Sequence, residues 1–125
     1  MSTQLLGSYG EEYACRYLQD KGYKILEKNF RNRMGEIDLI AQDGQTTCFV
    51  EVKTRKSLHC GQPHESVHSG KQRKIAQMAL SYLKYRYRTV EVLSRFDVIS
   101  IYYPADGAPK VEHIVNAFDL TYLSH

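Results

Sequence analysis

The sequence predicts an α/β domain in which helices cover a mixed β-sheet. The chain has 125 residues, of which 42% are hydrophobic, and this length is typical of one domain with one core. Two helical patterns separate runs of β-type residues, in the order helix, three strands, helix, two strands. This alternation is typical of sheets that have helices packed on them. We therefore predict a single domain that spans residues 1–125.

Composition narrows the class of protein and its surroundings. The chain is 25% charged with a net charge of +3, and its apolar content is too high for a disordered protein. No apolar run approaches the roughly 18 residues of a membrane span, and the N-terminus lacks the features of a signal peptide. The 3 cysteines have no Cys-x-x-Cys spacing, which favours a reducing compartment. We expect a cytoplasmic protein with no membrane partner and a mildly basic charge that suits nucleic acid.

The first helix is predicted over residues 8–21, because Gly22 is a typical helix-ending residue. Glu11 precedes the apolar residues of this helix by three, four and seven positions, so it belongs to their inward face. Glu12 is instead predicted to pair outward with Arg16, one turn later. The apolar residues of the inward face are Ala14, Cys15 and Leu18.

Three strands are predicted next. The first is Tyr23–Phe30, and a basic loop follows at Arg31–Gly35. The second and third strands, Glu36–Gln42 and Thr46–Arg55, flank the dipeptide Asp43-Gly44, which is typical of a two-residue hairpin turn. These two strands are therefore predicted to pair in antiparallel fashion.

A polar loop from Lys56 to His68 leads to the second helix. Ser69 and Gln72 form a capping-box pattern at the start of that helix. Its predicted inner face consists of Ile75, Met78, Ala79, Tyr82 and Leu83. The loop contains glycine and proline, so we interpret its metal-binding residue types as loop residues rather than as a zinc site. These residues are His59, Cys60, His64 and His68.

The last two strands are predicted at Phe96–Tyr103 and near Val111–Val115, with a turn at residues 104–109 between them. Asp97 lies inside the first of these strands, among apolar residues. We predict a structural role for Asp97, held by Arg95 or by a helix end, because a buried charge needs a partner.

The third strand contains an unusual pair of charges. Side chains alternate along a strand, so Glu51 and Lys53 share one face. If Asp43-Gly44 forms the turn, Asp38 faces Phe49 and lies diagonal to Glu51. Asp38, Glu51 and Lys53 are then predicted to project to the same side of the sheet, and a loop of odd length would move Asp38 to the other side.

Glu11, projecting inward from the first helix, adds a third carboxylate to this prediction. Carboxylates that converge on one spot repel one another unless a cation neutralises them, and oxygen ligands without His or Cys favour Mg²⁺ or Mn²⁺. A nearby lysine suits the hydrolysis of a phosphodiester, in which negative charge increases on the phosphate. The alternative is a structural ion pair between Glu51 and Lys53. Glu36 shares the face but is predicted nearer the strand entrance, as a supporting or solvated acid.

The pattern resembles a known group of proteins. Asp38 followed by Glu51-Val52-Lys53 is similar to the Asp…Glu-x-Lys signature of the restriction-endonuclease-like superfamily. The wider strings resemble the bacterial YraN-like family of predicted nucleases, and the likeness covers nearly the whole chain. These strings are Gly10-Glu11, Gly35 to Ile40, Phe49 to Arg55 and Arg95 to Val98. One departure is Ile37, where many members of the superfamily have proline.

The resemblance implies an αβββαβ core and kinship with archaeal Holliday-junction resolvases, in which a helix glutamate matches Glu11. It implies a Mg²⁺- or Mn²⁺-dependent nuclease acting on DNA, with branched or structured DNA as a candidate substrate. Asp38, Glu51 and Lys53 would be catalytic, and the metal would be held by Glu11, Asp38, Glu51 and the carbonyl of Val52.

Two further expectations concern partners. Basic and polar residues near the hairpin and the second helix are candidate contacts to nucleic-acid phosphates, namely Arg31, Arg33, Arg55, Lys56, Lys71 and Gln72. A junction resolvase would need two active sites, and hence a two-fold homodimer. The alternative function is a non-catalytic nucleic-acid-binding module that retains the fold and its acidic cluster.

Overall fold

The computed structural model describes residues 3–56 and 69–118. Residues 57–68 of the predicted loop, which include its histidines and Cys60, lie outside the described residues. Within the described ranges, two helices and five strands follow one another in the predicted order. Their bounds are α1 Thr3–Asp20, β1 Lys24–Asn32, β2 Gly35–Asp43, β3 Thr46–Arg55, α2 Ser69–Tyr87, β4 Ser94–Tyr102 and β5 Lys110–Phe118. In the described ranges, neither helix combines the length and the apolar character needed to cross a membrane.

The five strands form one sheet in the order β1-β2-β3-β4-β5. Strands β3 and β4 are parallel, and the other neighbouring pairs are antiparallel. A parallel pair needs a crossover connection, and α2 lies in that connection. The predicted α/β class and the αβββαβ core are therefore confirmed, with β5 added at one edge of a mixed sheet.

Each helix covers its own hydrophobic cluster. The cluster with α1 comprises Ala14, Cys15, Leu18, Leu39, Ala41, Cys48, Val50, Ile99 and Ile101. The cluster with α2 includes Ile37, Ile40, Phe49, Ile75, Met78, Ala79, Tyr82, Leu83, Phe96 and Val98. Both predicted inner helix faces are buried. Burying apolar side chains from both faces of a sheet fixes the positions of the helices relative to the strands.

The hairpin between β2 and β3 turns one residue later than predicted. Asp43 pairs with Thr46, so the two turn residues are Gly44 and Gln45. Gly44 has a φ of 61°, and glycine at the first central position is typical of a type II′ turn. The predicted pairing of Asp38 with Phe49 is therefore wrong, because Phe49 pairs with Ile40. The shift is two residues in register, which leaves the alternation of β3 relative to β2 unchanged.

Helix α1 approaches β3 closely at Gly10. A Cβ atom added to Gly10 would lie 1.9 Å from Cγ2 of Thr54, a distance that real side chains do not tolerate. Gly10 directly precedes Glu11, so this close approach sets where the Glu11 carboxylate lies over the sheet. The residue type at position 10 therefore controls the distance between α1 and the strand.

Substituting Gly10 with alanine should destabilise the protein by about 1–3 kcal/mol, because overpacking forces neighbouring atoms to move. Urea unfolding would measure the change. Thr54→Ser removes Cγ2 and should restore part of the loss in the double variant. Gly7→Ala is the matched control, since a Cβ at Gly7 meets nothing within 4 Å and alanine is favoured over glycine in a helix. A Gly10→Ala variant as stable as Gly7→Ala would contradict the packing argument.

A buried polar network joins β4 and β5 to the end of α1. Asp97 has no exposed surface, and its carboxylate accepts hydrogen bonds from Arg95, from His113 Nε2 at 2.8 Å and from the backbone N–H of Asn116. Lys21 Nζ donates to Nδ1 of His113 at 2.9 Å, which places the ring proton on Nε2. The predicted pairing of Asp97 with Arg95 is confirmed, and its structural role stays a prediction.

Candidate metal centre

The site lies where the ladder between β2 and β3 ends. The paired register stops at Leu39 opposite Val50. One step further along the strands, the backbone N–H of Val52 donates to Oδ2 of Asp38 at 2.8 Å. The N–H of Val52 thus has a side-chain carboxylate as its hydrogen-bond acceptor. Continuing the observed register by one step places Asp38 opposite Glu51, rather than diagonal to it as predicted.

Strict alternation of side chains breaks at Asp38. Ile37 packs in the cluster beneath α2, and Leu39 packs in the cluster beneath α1, although residues two apart on a regular strand share a face. Asp38 therefore lies where the β2–β3 pairing ends, between the two helix layers and within reach of both helices. We call this place the opened edge. The prediction that Asp38 shares one face with Glu51 and Lys53 assumed a regular strand, so it stays a prediction at this break, although the charge of Glu51 acts on Asp38.

Three carboxylates meet at this edge. Glu11 from α1 and Glu36 and Asp38 from β2 each place one oxygen so that all three lie within 4.8 Å of one another. All three residues are partly buried. The orientation of the two adjacent glutamates matches the prediction, since Glu11 faces inward while Glu12 pairs with Arg16 at 3.3 Å on the surface. We call Glu11, Glu36 and Asp38 the acidic cluster.

Glu36 lies near the start of β2, as predicted, and belongs to the acidic cluster. The amide of Asn29 donates to Glu11 Oε1 at 2.8 Å and to Glu36 Oε1 at 2.7 Å. Arg31 Nε donates to the other oxygen of Glu36 at 3.0 Å. Two carboxylates are thus oriented by one amide group, because an amide nitrogen carries two donors.

Sequence reasoning missed Asn29. Its backbone φ is 53°, a left-handed value that asparagine adopts more readily than most residues. It follows a register shift in β1 between Ile25 and Glu27. The only sequence signal is the residue type itself, because neither the bulge nor the positive φ can be recognised from the alternation of β1.

The cluster makes Asp38 an unusual carboxyl group. Burial, followed by the nearby charge of Glu51, raises the pKa of Asp38 to about 7. The hydrogen bond from Val52 opposes this rise, and the charges of Glu11 and Glu36 add to it. A proton or a cation can relieve such a concentration of negative charge, so the two compete for Asp38 near neutral pH.

Glu51 has different partners. Its side chain is 10% exposed, and Oε1 lies 3.5 Å from Nζ of Lys53. Lys71, near the start of α2, donates a hydrogen bond to the same oxygen of Glu51. Burial, and then the neighbouring Lys71, lower the pKa of Lys53. Burial alone would also lower the pKa of Lys71, but the hydrogen bond to Glu51 and the contact with Lys53 raise it.

The predicted phosphate contacts occupy the same end of the sheet. Arg31 is opposite Glu36 in the β1–β2 ladder, and Arg33 is exposed in the turn that follows. Arg55 is partly buried and donates to the hydroxyl of Ser100 at 3.0 Å, whereas Lys56 is exposed. Lys71 and Gln72 are partly buried at the start of α2. The carbonyl of Val52, predicted as a metal ligand, stays a prediction, and the backbone N–H of the same residue donates to Asp38.

The donor set fits a hard divalent cation. It offers carboxylate oxygens from Glu11, Glu36 and Asp38 with Glu51 beside them, and oxygen donors are the ligands that Mg²⁺ and Mn²⁺ prefer. A mixed α/β sheet with an acid at the opened edge of β2 and a Glu-x-Lys sequence on β3 defines the class. It is an α/β protein with a restriction-endonuclease-like core and a cluster of acidic residues that could bind a metal.

Within that class, the chain belongs to one family. Residues 10–101 match the family described as "Uncharacterised protein family UPF0102", which is the YraN-like family of the predicted resemblance. The chain is similar to the UPF0102 protein of Geobacter metallireducens, with 53% identity over 122 residues that cover 98% of each chain. It is similar to the UPF0102 protein of Rhodococcus opacus, with 43% identity over 113 residues that cover 90% of this chain and 95% of the relative.

Proposed function

We propose that this protein is a Mg²⁺- or Mn²⁺-dependent nuclease that hydrolyses phosphodiester bonds in DNA, with branched DNA as the substrate to test first. The observation that supports it most directly is the meeting of Glu11, Glu36 and Asp38 within 4.8 Å of one another. Three partly buried carboxylates this close are costly without a cation. Their position at the opened end of β2, next to Glu51 and Lys53, supports hydrolysis over a purely structural cluster.

Each side chain has a separate task in this proposal. Glu11, Glu36 and Asp38 hold the cation, and Glu51 adds a carboxylate from β3. A divalent cation held there would polarise a phosphoryl oxygen and acidify a bound water. Lys53 carries a positive charge toward the phosphate, where negative charge increases in the transition state. Its lowered pKa also suits it to exchange a proton with the attacking water.

Asn29 and Arg31 act as positioning residues. Asn29 aligns Glu11 with Glu36 through one amide group, and Arg31 offsets part of the negative charge through Glu36. The remaining basic residues at this end of the sheet, Arg33, Arg55 and Lys56, are proposed contacts to phosphates. Such contacts supply affinity that falls with salt and does not depend on base sequence.

Calorimetric titration of Mn²⁺ into metal-free protein tests the first step. The wild type should bind Mn²⁺ with a rise in melting temperature, because a ligand that binds only the folded state stabilises it. Asp38→Asn keeps an oxygen that can accept the Val52 N–H but loses the charge. It should bind Mn²⁺ at least about tenfold more weakly and should be more stable than the wild type in chelator, by about 1 kcal/mol, since like charges no longer repel.

Glu12→Gln is the matched control, because Glu12 is the exposed neighbour of Glu11. This variant should bind Mn²⁺ as tightly as the wild type does. Equal loss in both variants would mean that surface charge, not the acidic cluster, attracts the ion. Nucleic-acid binding by a wild type that takes up neither Mn²⁺ nor Mg²⁺ would favour the non-catalytic binding module instead.

A further inference from the structure

Lys71 is placed to compete with a cation for Glu51. Its ammonium group donates to Oε1 of Glu51, the carboxylate that the proposed function assigns to the metal. Lys53 approaches the same oxygen at 3.5 Å. Two lysines thus face one carboxylate, and one of them comes from a different element of the fold, since Lys71 lies in the first turn of α2.

The charges around the site are divided unequally. The acidic cluster gathers three carboxylates whose side-chain partners are the amide of Asn29 and the guanidinium of Arg31. Glu51 is the carboxylate on which two ammonium groups converge. Its side chain is only 10% exposed, so water does little to weaken these contacts. Glu51 therefore carries its own counter-ions before any metal arrives.

We propose that Lys71 is a counter-ion that holds Glu51 in the metal-free protein and must release it before Glu51 can join the acidic cluster in binding a divalent cation. The proposal rests on the proposed metal site and adds the control of its affinity. Both ammonium groups already lie against Oε1, and a divalent cation bound through that oxygen also repels the ammonium group of Lys71. Metal binding through Oε1 of Glu51 therefore displaces the hydrogen bond from Lys71. Lys53 is on the same strand as Glu51 and stays beside it.

A lysine that served only to support the site would have the opposite effect on metal affinity. Removing a supporting residue weakens metal binding, whereas removing a competitor strengthens it. The sign of the change in Mn²⁺ affinity therefore separates the two roles, and the measurement needs no turnover. The stem of Lys71 is partly buried, so Lys71→Met is the appropriate variant because it keeps the length and the apolar contacts.

Mn²⁺ is titrated calorimetrically into metal-free wild type, Lys71→Met, Lys71→Arg and Lys74→Met. Lys71→Met should bind Mn²⁺ about tenfold more tightly than the wild type, which is the fold-change expected from losing one charged hydrogen bond. Lys71→Arg keeps a competing cation and should stay near the wild-type affinity. Lys74→Met removes the same charge from an exposed position one turn later in α2 and should change the affinity less than threefold.

The variants Glu51→Gln and Glu51→Gln/Lys71→Met complete a double-mutant cycle, which tests whether Lys71 acts on Mn²⁺ affinity through Glu51. In the Glu51→Gln background, Lys71→Met should no longer tighten Mn²⁺ binding, because the contested carboxylate is gone. Melting curves in chelator confirm folding, and Lys71→Met should be the less stable protein there, since Glu51 has lost a counter-ion. Weaker Mn²⁺ binding by Lys71→Met, or a tightening that does not depend on Glu51, would contradict the competition.

Unchanged or weaker Mn²⁺ binding by Lys71→Met would overturn the inference while leaving the proposed metal site intact. Equal tightening by Lys74→Met would also overturn it, since general electrostatics would then account for the effect. Tightening that persists in the Glu51→Gln background would show that Lys71 acts through another group. A wild type that binds no divalent ion would reject the proposed function and this inference together.

Discussion

Asp97→Asn should destabilise the protein by about 3 kcal/mol at pH 7, which corresponds to a fall in melting temperature of roughly 10 °C. The substitution preserves the shape of the side chain but replaces an acceptor oxygen with a donor. That donor then faces His113 Nε2 and Arg95, both of which donate to Asp97. Since Asp97 is completely buried, water cannot repair the mismatch. Urea unfolding followed by circular dichroism measures the loss.

The pH dependence of this loss follows from the pKa of Asp97. Burial alone would raise that pKa, but hydrogen bonds from His113, Arg95 and the Asn116 N–H lower it below its ordinary value. A lowered pKa in the folded state contributes stability above the unfolded value of about 4, and this stability is lost as the pH falls through the lowered pKa. The difference between wild type and Asp97→Asn should therefore be largest near neutrality and shrink below pH 4.

Glu112→Gln provides the control, since Glu112 is an exposed acid on β5, next to His113 in sequence. It should change the free energy of unfolding by less than about 0.5 kcal/mol. Equal losses in the two variants would mean that net charge, rather than the buried network, accounts for the stability. A difference that grew as the pH fell would contradict the lowered pKa of Asp97.

Much of this fold could be predicted from periodicity. The inner faces of both helices are buried as predicted, and β3 has its predicted bounds. These features depend on local spacing, which tertiary structure rarely overrides when it is long and regular. Tyr82 illustrates the point: it belongs to the predicted inner face of α2, and it is completely buried.

What could not be predicted depends on irregular backbone. The turn at Gly44-Gln45 moved the β2–β3 register by two residues relative to the prediction, because Asp43-Gly44 and Gly44-Gln45 both have a glycine that suits a tight turn. The break in alternation at Asp38 and the left-handed φ of Asn29 have no periodic signature. These irregularities bring Glu36 and Asn29 to the site, and they occur where a functional site is expected to strain a regular element.

The position of Glu51 relative to the other carboxylates differs between the sequence prediction and the structure. Strand alternation grouped Glu51 with Asp38, whereas the carboxylates that meet within 4.8 Å of one another are Glu11, Glu36 and Asp38. The contact between Lys71 and Glu51 explains the difference in physical terms, because it links residues in separate elements across the α2 layer. Long-range contacts of this kind depend on helix docking, which the spacing within a single element does not determine.

The assay for nuclease activity uses a branched or flapped DNA with Mg²⁺ or Mn²⁺, and ordinary duplex for comparison. We expect cleavage that is weak on duplex, faster on the branched substrate, and absent with chelator or when Ca²⁺ replaces Mg²⁺, since Ca²⁺ accepts looser coordination. The Glu51→Gln variant, purified in the same way as the wild type, tests for a contaminating nuclease. Cleavage by Glu51→Gln equal to that of the wild type would identify a contaminating nuclease and would remove the support for the site.

Lys53→Ala should lower the rate of this cleavage by about 10²–10³-fold while leaving Mn²⁺ and DNA affinity within a few fold of wild type. Lys53 contributes a donor and a charge rather than a metal ligand, so its effect belongs mainly to the transition state, where the phosphate is most negative. Lys53→Arg keeps the charge but cannot release a proton near neutral pH. Full recovery in Lys53→Arg therefore assigns an electrostatic role, and failure to recover assigns proton transfer. Wild-type cleavage by Lys53→Ala would contradict both roles, because neither the charge nor the proton of Lys53 would then be needed.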